Sequence, residues 1–192
     1  AYKLVLDKAS LTDEEKSRIF DEKGALKDND VSLAYLLWKK QAKLLNGNDM
    51  ENLIKLQIRK ILERFKKTAD ELKKMGLSWE KLAEISKDKA LLLYKKVTTF
   101  REVRYNVTGK NLLYCNFDSF LHVYLRHVED LKVSNQFENR DKFQLHEEDV
   151  MIVMGHVMEA LNDEYQKYKN EHPDGRFYRS GKMAYYYNGD YY

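Results

Sequence analysis

Between Met50 and Met75 the apolar residues Leu53, Ile54, Ile58, Ile61, Leu62, Phe65, Ala69 and Leu72 recur with the 3.6-residue period of an amphipathic helix. Gly76 stops that run. Three further helices are predicted around it. Thr12, with Glu15 three residues on, has the form of a capping box and opens a short helix ended by Gly24. A second helix runs from Val31 to Leu45 and is closed by Asn46-Gly47-Asn48, and Ser78 opens a fourth that continues through Val97. Residues 1–98 therefore read as a helical region, a bundle or an extended docking arm, in which strict coiled-coil heptads are not sustained.

Near Thr98 the pattern changes to β-branched and aromatic residues, and two such runs flank Thr108-Gly109-Lys110, which predicts a hairpin over 100–117. Asp118 is placed to cap the helix that follows. A polar loop over 132–146 leads to a long helix from Glu147 to Asn170, with Val150, Val153, Met154, Val157, Met158, Leu161, Tyr165 and Tyr168 on its apolar face. Pro173-Asp174-Gly175 is a turn, and Arg176 to Ser180 and Met183 to Tyr187 read as strands. The expected fold class is α+β: the helical region, then a small α+β domain over 99–192 with an antiparallel sheet packed on two helices. There is no internal repeat and no low-complexity segment.

Composition narrows the class of protein. Of 192 residues, 43% are hydrophobic and 34% charged, with a mean hydropathy of -0.70, which suits a globular chain with no membrane-inserted segment. The lone Cys115 excludes an internal disulfide and fits work in a reducing cytosol. The chain reads as a piece of something longer: it starts at Ala1 without a leader, and Asn188-Gly189-Asp190 is a hairpin signal whose returning strand has barely begun at Tyr192. The net charge of +3 is uneven, since residues 1–100 hold 22 Lys and Arg against 16 Asp and Glu, and residues 101–192 hold 12 against 15. The N-terminal lysines lie among acids on helical faces, the pattern of solvated helix surface rather than of a dedicated RNA- or membrane-facing patch.

The segment SFLHVYLRHVEDL, residues 119–131, spends two of the five histidines on one helix. Residues four apart share a face, so His122 sits over Arg126, while His127 joins Phe120, Val123, Tyr124 and Leu131 on the apolar side. The two histidines are thus expected to point in different directions, His127 as a core residue or a catalyst and His122 with Arg126 as a site or a solvated pair.

The motif HVYLRHV, in the order hairpin, His- and Arg-bearing helix, second helix and Tyr-, Arg-, Ser- and Lys-rich strands, resembles the barnase/EndoU/colicin/RelE-like ribonucleases. These are toxin domains found at the C-termini of large bacterial delivery proteins and in phage proteins. The resemblance covers about residues 100 to 192. It implies that His122 or His127 is the helix-borne catalytic histidine and that Arg179, Ser180 and Lys182 of FYRSGK are the sheet-borne groups. It also implies an RNA substrate, tRNA first, a cognate immunity or antitoxin protein covering the basic site with carboxylates, delivery by a bacterial secretion system and antibacterial action in the cytoplasm of the target cell. The helical first hundred residues would then correspond to a translocation segment.

The chemistry stands beside the resemblance. Metal-independent cleavage of RNA needs a base for the 2′-hydroxyl proton, an acid for the leaving 5′-oxygen and cations for the charge that develops on phosphate. Histidine titrates near neutrality, and Arg126, Arg179 and Lys182 supply cations, so no cofactor is required. Lys167, Lys169 and Arg176 add positive charge for the RNA backbone, and Tyr178 and Tyr185 to Tyr187 offer faces on which bases stack. A metal site built from His146, Glu147, Glu148, His156 and His172 fits no zinc spacing, and phosphate-loop, dinucleotide and serine-hydrolase motifs are missing from the sequence. The remaining alternative is a non-catalytic helical interaction module that binds a protein partner.

Overall fold

The computed structural model describes residues 11–104, 114–128, 149–178, 185–187 and 190–191. Among them are eight helices and two pairs of two-residue strands, so the chain is mostly helical. It divides into two compact units, Ala1–Lys66 and Lys67–Tyr192, with the change of pattern near residue 98 inside the second. None of the described helices is long and apolar enough to cross a membrane.

In the first unit, α1 (Asp13–Ile19) opens on the predicted capping box, Thr12 accepting from the Glu15 N–H at 3.2 Å and Glu15 accepting from the Thr12 N–H at 2.8 Å. The helix ends at Phe20, earlier than expected. Gly24, at φ +75, instead shapes the turn over 21–25, where the Asp21 carboxylate accepts from the Lys23 and Ala25 N–H groups. Asn29 caps α2 (Asp30–Gln41) and also donates to the Arg18 carbonyl, while buried Ser32 donates to the Ile19 carbonyl at 3.0 Å. Asn46-Gly47-Asn48 begins α3 (Gly47–Lys74) rather than closing α2. Asn46 and Asp49 exchange hydrogen bonds between side chain and backbone, at 2.8 and 3.1 Å, which fixes the first turn. Leu36, Leu53 and Leu56 form the buried centre of this unit, each contributing roughly 1.5–3 kcal/mol by leaving water.

The second unit starts inside α3. Leu77 N–H reaches back to the Leu72 carbonyl and Gly76 N–H to Lys73, with Gly76 at φ +72, so the expected glycine stop is a Schellman closure. The expected helix from Ser78 to Val97 is two, α4 (Trp79–Ile85) and α5 (Lys87–Thr99). Ser86 ends the first and caps the second, its hydroxyl accepting from the Lys89 N–H. A serine side chain that satisfies a backbone donor offers the chain an alternative to continuous helix. Strands β1 (Val103–Arg104) and β2 (Tyr114–Cys115) pair antiparallel as Val103 with Cys115 and Arg104 with Tyr114, and Cys115 is buried.

The helix α6 (Phe117–His127) follows, capped by Asn116 rather than Asp118. The long helix expected over 147–170 is α7 (Val150–Ala160) and α8 (Asn162–Glu171), separated at Leu161. The Pro173-Asp174-Gly175 turn forms, with Gly175 donating to the His172 carbonyl at 2.9 Å. Strands β3 (Tyr186–Tyr187) and β4 (Asp190–Tyr191) pair across the Asn-Gly signal.

The antiparallel sheet packed on two helices, and with it the α+β class, is overturned. Each ladder among the described residues is two residues long, and residues 176–178 carry no strand. Ladders this short present no face to bury. Phe177 packs edge-on against Tyr165 and Tyr168 at 5.7 and 5.6 Å, so the aromatic character that suggested a strand serves a helix instead. The hairpin turn over 105–113, the loop over 132–146 and the residues Arg179, Ser180 and Lys182 lie outside the described residues.

Candidate functional site

Helix α6 positions the chemistry. Asn116 accepts from the Ser119 N–H at 2.9 Å, and Asp118 in the first turn complements the positive end of the helix dipole. One face carries Phe117, Phe120, Leu121, Tyr124 and Leu125, all buried. Phe100 packs on Phe117 and Phe120 at 5.4 and 4.9 Å, Phe120 on Tyr124 at 4.2 Å, and the Lys96 ammonium lies 5.5 Å from the Tyr124 ring. Anchoring this face leaves His122 exposed, with Arg126 a turn further on, as the spacing predicts.

His127 is half-buried, and its ring centroid lies 5.5 Å from that of His122. The expectation that the two histidines diverge is therefore corrected. Positions five apart do not share a helix face, so the contact comes from the reach of the two imidazole side chains around the end of α6, of which His127 is the last residue.

A cleft of about 280 Å³ lies between α6 and the last two turns of α3, lined by Lys67, Asp70, Glu71 and Lys74 on one side and Asp118, Leu121, His122 and Arg126 on the other. Two carboxylates organise its cations. Asp118 accepts from the Lys67 ammonium through both oxygens, at 2.6 and 2.7 Å. Glu71 accepts from Arg126 at 2.8 Å through one oxygen and from Lys74 through the other. Burial alone would raise the Glu71 pKa, but the hydrogen bonds and charges of Lys74 and Arg126 outweigh it and hold the carboxyl below its usual range.

Sequence reasoning found His122, Arg126 and His127, which the structure brings together, and missed Lys67, Glu71 and Lys74. Their signal was the i, i+4, i+7 spacing on one face of α3, indistinguishable without the fold from ordinary solvated helix.

The other candidate residues lie on α8 or follow it in the chain. The Lys169 ammonium donates to the Pro173 and Gly175 carbonyls and so closes the turn after α8. Tyr185 stacks on His156 at 4.7 Å and on Tyr187 at 6.3 Å, and the Tyr187 hydroxyl donates to Asp149 at 3.2 Å, tying β3 to α7. Lys167 and Arg176 are exposed, and Tyr178 is 84% exposed. The three sheet-borne groups expected to complete the site, Arg179, Ser180 and Lys182, lie outside the described residues. Of the metal reading, His146, Glu147 and Glu148 lie outside them too, while His156 stacks on Tyr185 and His172 on Tyr168. Among the described residues no group of three or more His, Cys, Asp or Glu is arranged to hold a metal ion. No protein-family model, curated protein or solved structure matches this chain.

Proposed function

We propose that the chain is a toxin-type ribonuclease that cuts RNA, tRNA first, by metal-independent acid and base chemistry at His122 and His127. The observation that carries this reading is the 5.5 Å spacing of the two imidazoles, of which His122 lines the cleft together with Arg126. Two imidazoles this close address the two oxygens of one phosphodiester. One, neutral, takes the proton of the 2′-hydroxyl as the 2′-oxygen attacks phosphorus. The other, protonated, gives its proton to the 5′-oxygen as the P–O5′ bond breaks, leaving a 2′,3′-cyclic phosphate and a free 5′-hydroxyl. Arg126 supplies positive charge where the phosphorane gathers negative charge.

Exposed Lys167, Arg176 and Tyr178 are proposed RNA-binding residues, by phosphate contact and base stacking. The reading rests on these residues and on the HVYLRHV motif, since among the described residues there is no sheet of the kind the resemblance implies. With it go delivery into a target cell, action in its cytoplasm and neutralisation by an immunity protein.

The test is incubation of the purified protein with total bacterial RNA in EDTA, beside His122→Ala and His127→Ala. Discrete tRNA fragments that disappear in both variants support the reading. Intact RNA at micromolar protein, with normally folded variants, leaves the interaction module. That alternative has its own observation in α3, where Ile54, Ile58 and Leu62 are 50%, 52% and 62% exposed in one row, as a surface for a protein partner would be.

A further inference from the structure

We infer that the last two turns of α3 belong to the substrate site, with Lys67 and Lys74 as phosphate-binding residues for a single-stranded RNA backbone. The inference rests on the ribonuclease reading and adds to it residues from the helical region expected to serve translocation or docking.

Lys67, Glu71 and Lys74 fall on one face of α3 and line the same cleft as His122 and Arg126. Within the second unit the two helices thus offer three cations around the proposed reacting phosphate, one from α6 and two from α3. Charge bookkeeping makes the cleft neutral as it stands, since Asp70, Glu71 and Asp118 match Lys67, Lys74 and Arg126. The pairs differ in how firmly they are held. Lys67 and Asp118 are 50% and 59% exposed and Lys74 is 63% exposed, so water screens their bonds and a change of partner costs little. Arg126 and Glu71 are 23% and 22% exposed, which fixes the guanidinium more firmly. The two lysines are therefore exchangeable cations beside a fixed one. The Glu71 carboxylate bridges Lys74 and Arg126 with one oxygen on each, the arrangement that two oxygens of a phosphate would take. RNA entering the cleft would replace carboxylates by phosphates on the same cations.

The probe is a labelled, fully 2′-O-methylated single-stranded RNA, which has no 2′-hydroxyl to be deprotonated, with binding followed by fluorescence anisotropy over a salt series. Lys67→Gln and Lys74→Gln should each raise Kd roughly fivefold and lower the slope of log Kd against log salt by about 0.7, the share of one phosphate contact on a single strand. Glu71→Gln should tighten binding, because a neutral amide no longer competes for Lys74 and Arg126. A packing lesion would weaken binding in all three, so the opposite sign of Glu71→Gln is the readout a structural role does not give. Lys81→Gln, an equal loss of charge at an exposed position of α4, should bind as the wild type does. Wild-type affinity and slope in both lysine variants, with the unmodified RNA still cut, would overturn this inference and leave the ribonuclease reading standing. If the wild type cuts no RNA and His122→Ala and His127→Ala bind the probe as it does, the ribonuclease reading falls, and this inference falls with it.

Discussion

Glu71 of α3 accepts a hydrogen bond at 2.8 Å from Arg126 of α6, fifty-five positions along the chain. The bond fixes the guanidinium at the cleft and couples the site to pH. The Glu71 carboxyl is held below its usual range, so its stabilising contribution is complete above the pKa it has in the unfolded chain and is lost as the pH falls through its folded value. Arg126→Ala should cost about 1–2 kcal/mol at neutral pH, between the ranges for exposed and buried pairs. Urea unfolding followed by circular dichroism should show the gap between wild type and variant closing in acid. A gap independent of pH would mean that the pair adds nothing to stability.

His122→Ala and His127→Ala should each lower RNA cleavage by roughly 100- to 10,000-fold, the usual loss for a positioned acid or base. Because His122 is exposed and His127 half-buried, thermal unfolding should be unchanged in the first and lowered in the second. Full activity in either would remove the two-imidazole mechanism.

Asn116→Ala removes the cap that accepts from Ser119, at a cost of about 1 kcal/mol. Frayed at this end, α6 would also release Asp118 from Lys67, so amide exchange should quicken at Ser119 and Phe120 while α8 keeps its protection. Equal quickening in both helices would mean that the cap acts on the whole unit.

Gly175→Ala should destabilise the second unit by about 1–3 kcal/mol, because a Cβ there would lie 2.7 Å from the Tyr168 hydroxyl and 2.8 Å from the His172 Cβ. Calorimetry gives the answer directly: a melting temperature equal to that of the wild type would show that the turn after α8 has room to give.

In the first unit Arg59 lies 2.7 Å from Asp28, 3.0 Å from Asp30 and 2.6 Å from Glu63, joining α3 to the segment that enters α2. Arg59→Ala should cost about 1–2 kcal/mol, since the arginine is 25% exposed while its partners are largely solvated. Denaturant titration of the variant would refute this by giving the wild-type midpoint.

The legible parts of the fold were those written in adjacent residues. The Thr12–Glu15 box, the Ser78 cap, the Gly76 stop and the pairing of residues near Val103 with those near Cys115 follow from local chemistry. Helix interruptions were harder to read, because Ser86 and Leu161 lie in runs whose apolar period continues on both sides of the break. The sheet was misread where aromatic residues have two uses: Phe177 and Tyr185 satisfy rings on helices, a use that strand propensity does not register. At the site, His122 and Arg126 sit four residues apart and could be paired on paper. The bond from Lys67 to Asp118 spans fifty-one positions, and only the packing of α6 on its aromatic face brings its ends together.

Cys115, 2% exposed at the strand that leads into α6, gives the molecule a clock. A small disulfide reagent cannot reach that sulfur while the strand is closed, so in reagent excess the labelling rate counts how often this stretch of backbone opens. With one thiol in 192 residues, every modified molecule reports the same event, and the site's excursions become measurable without attaching anything to it.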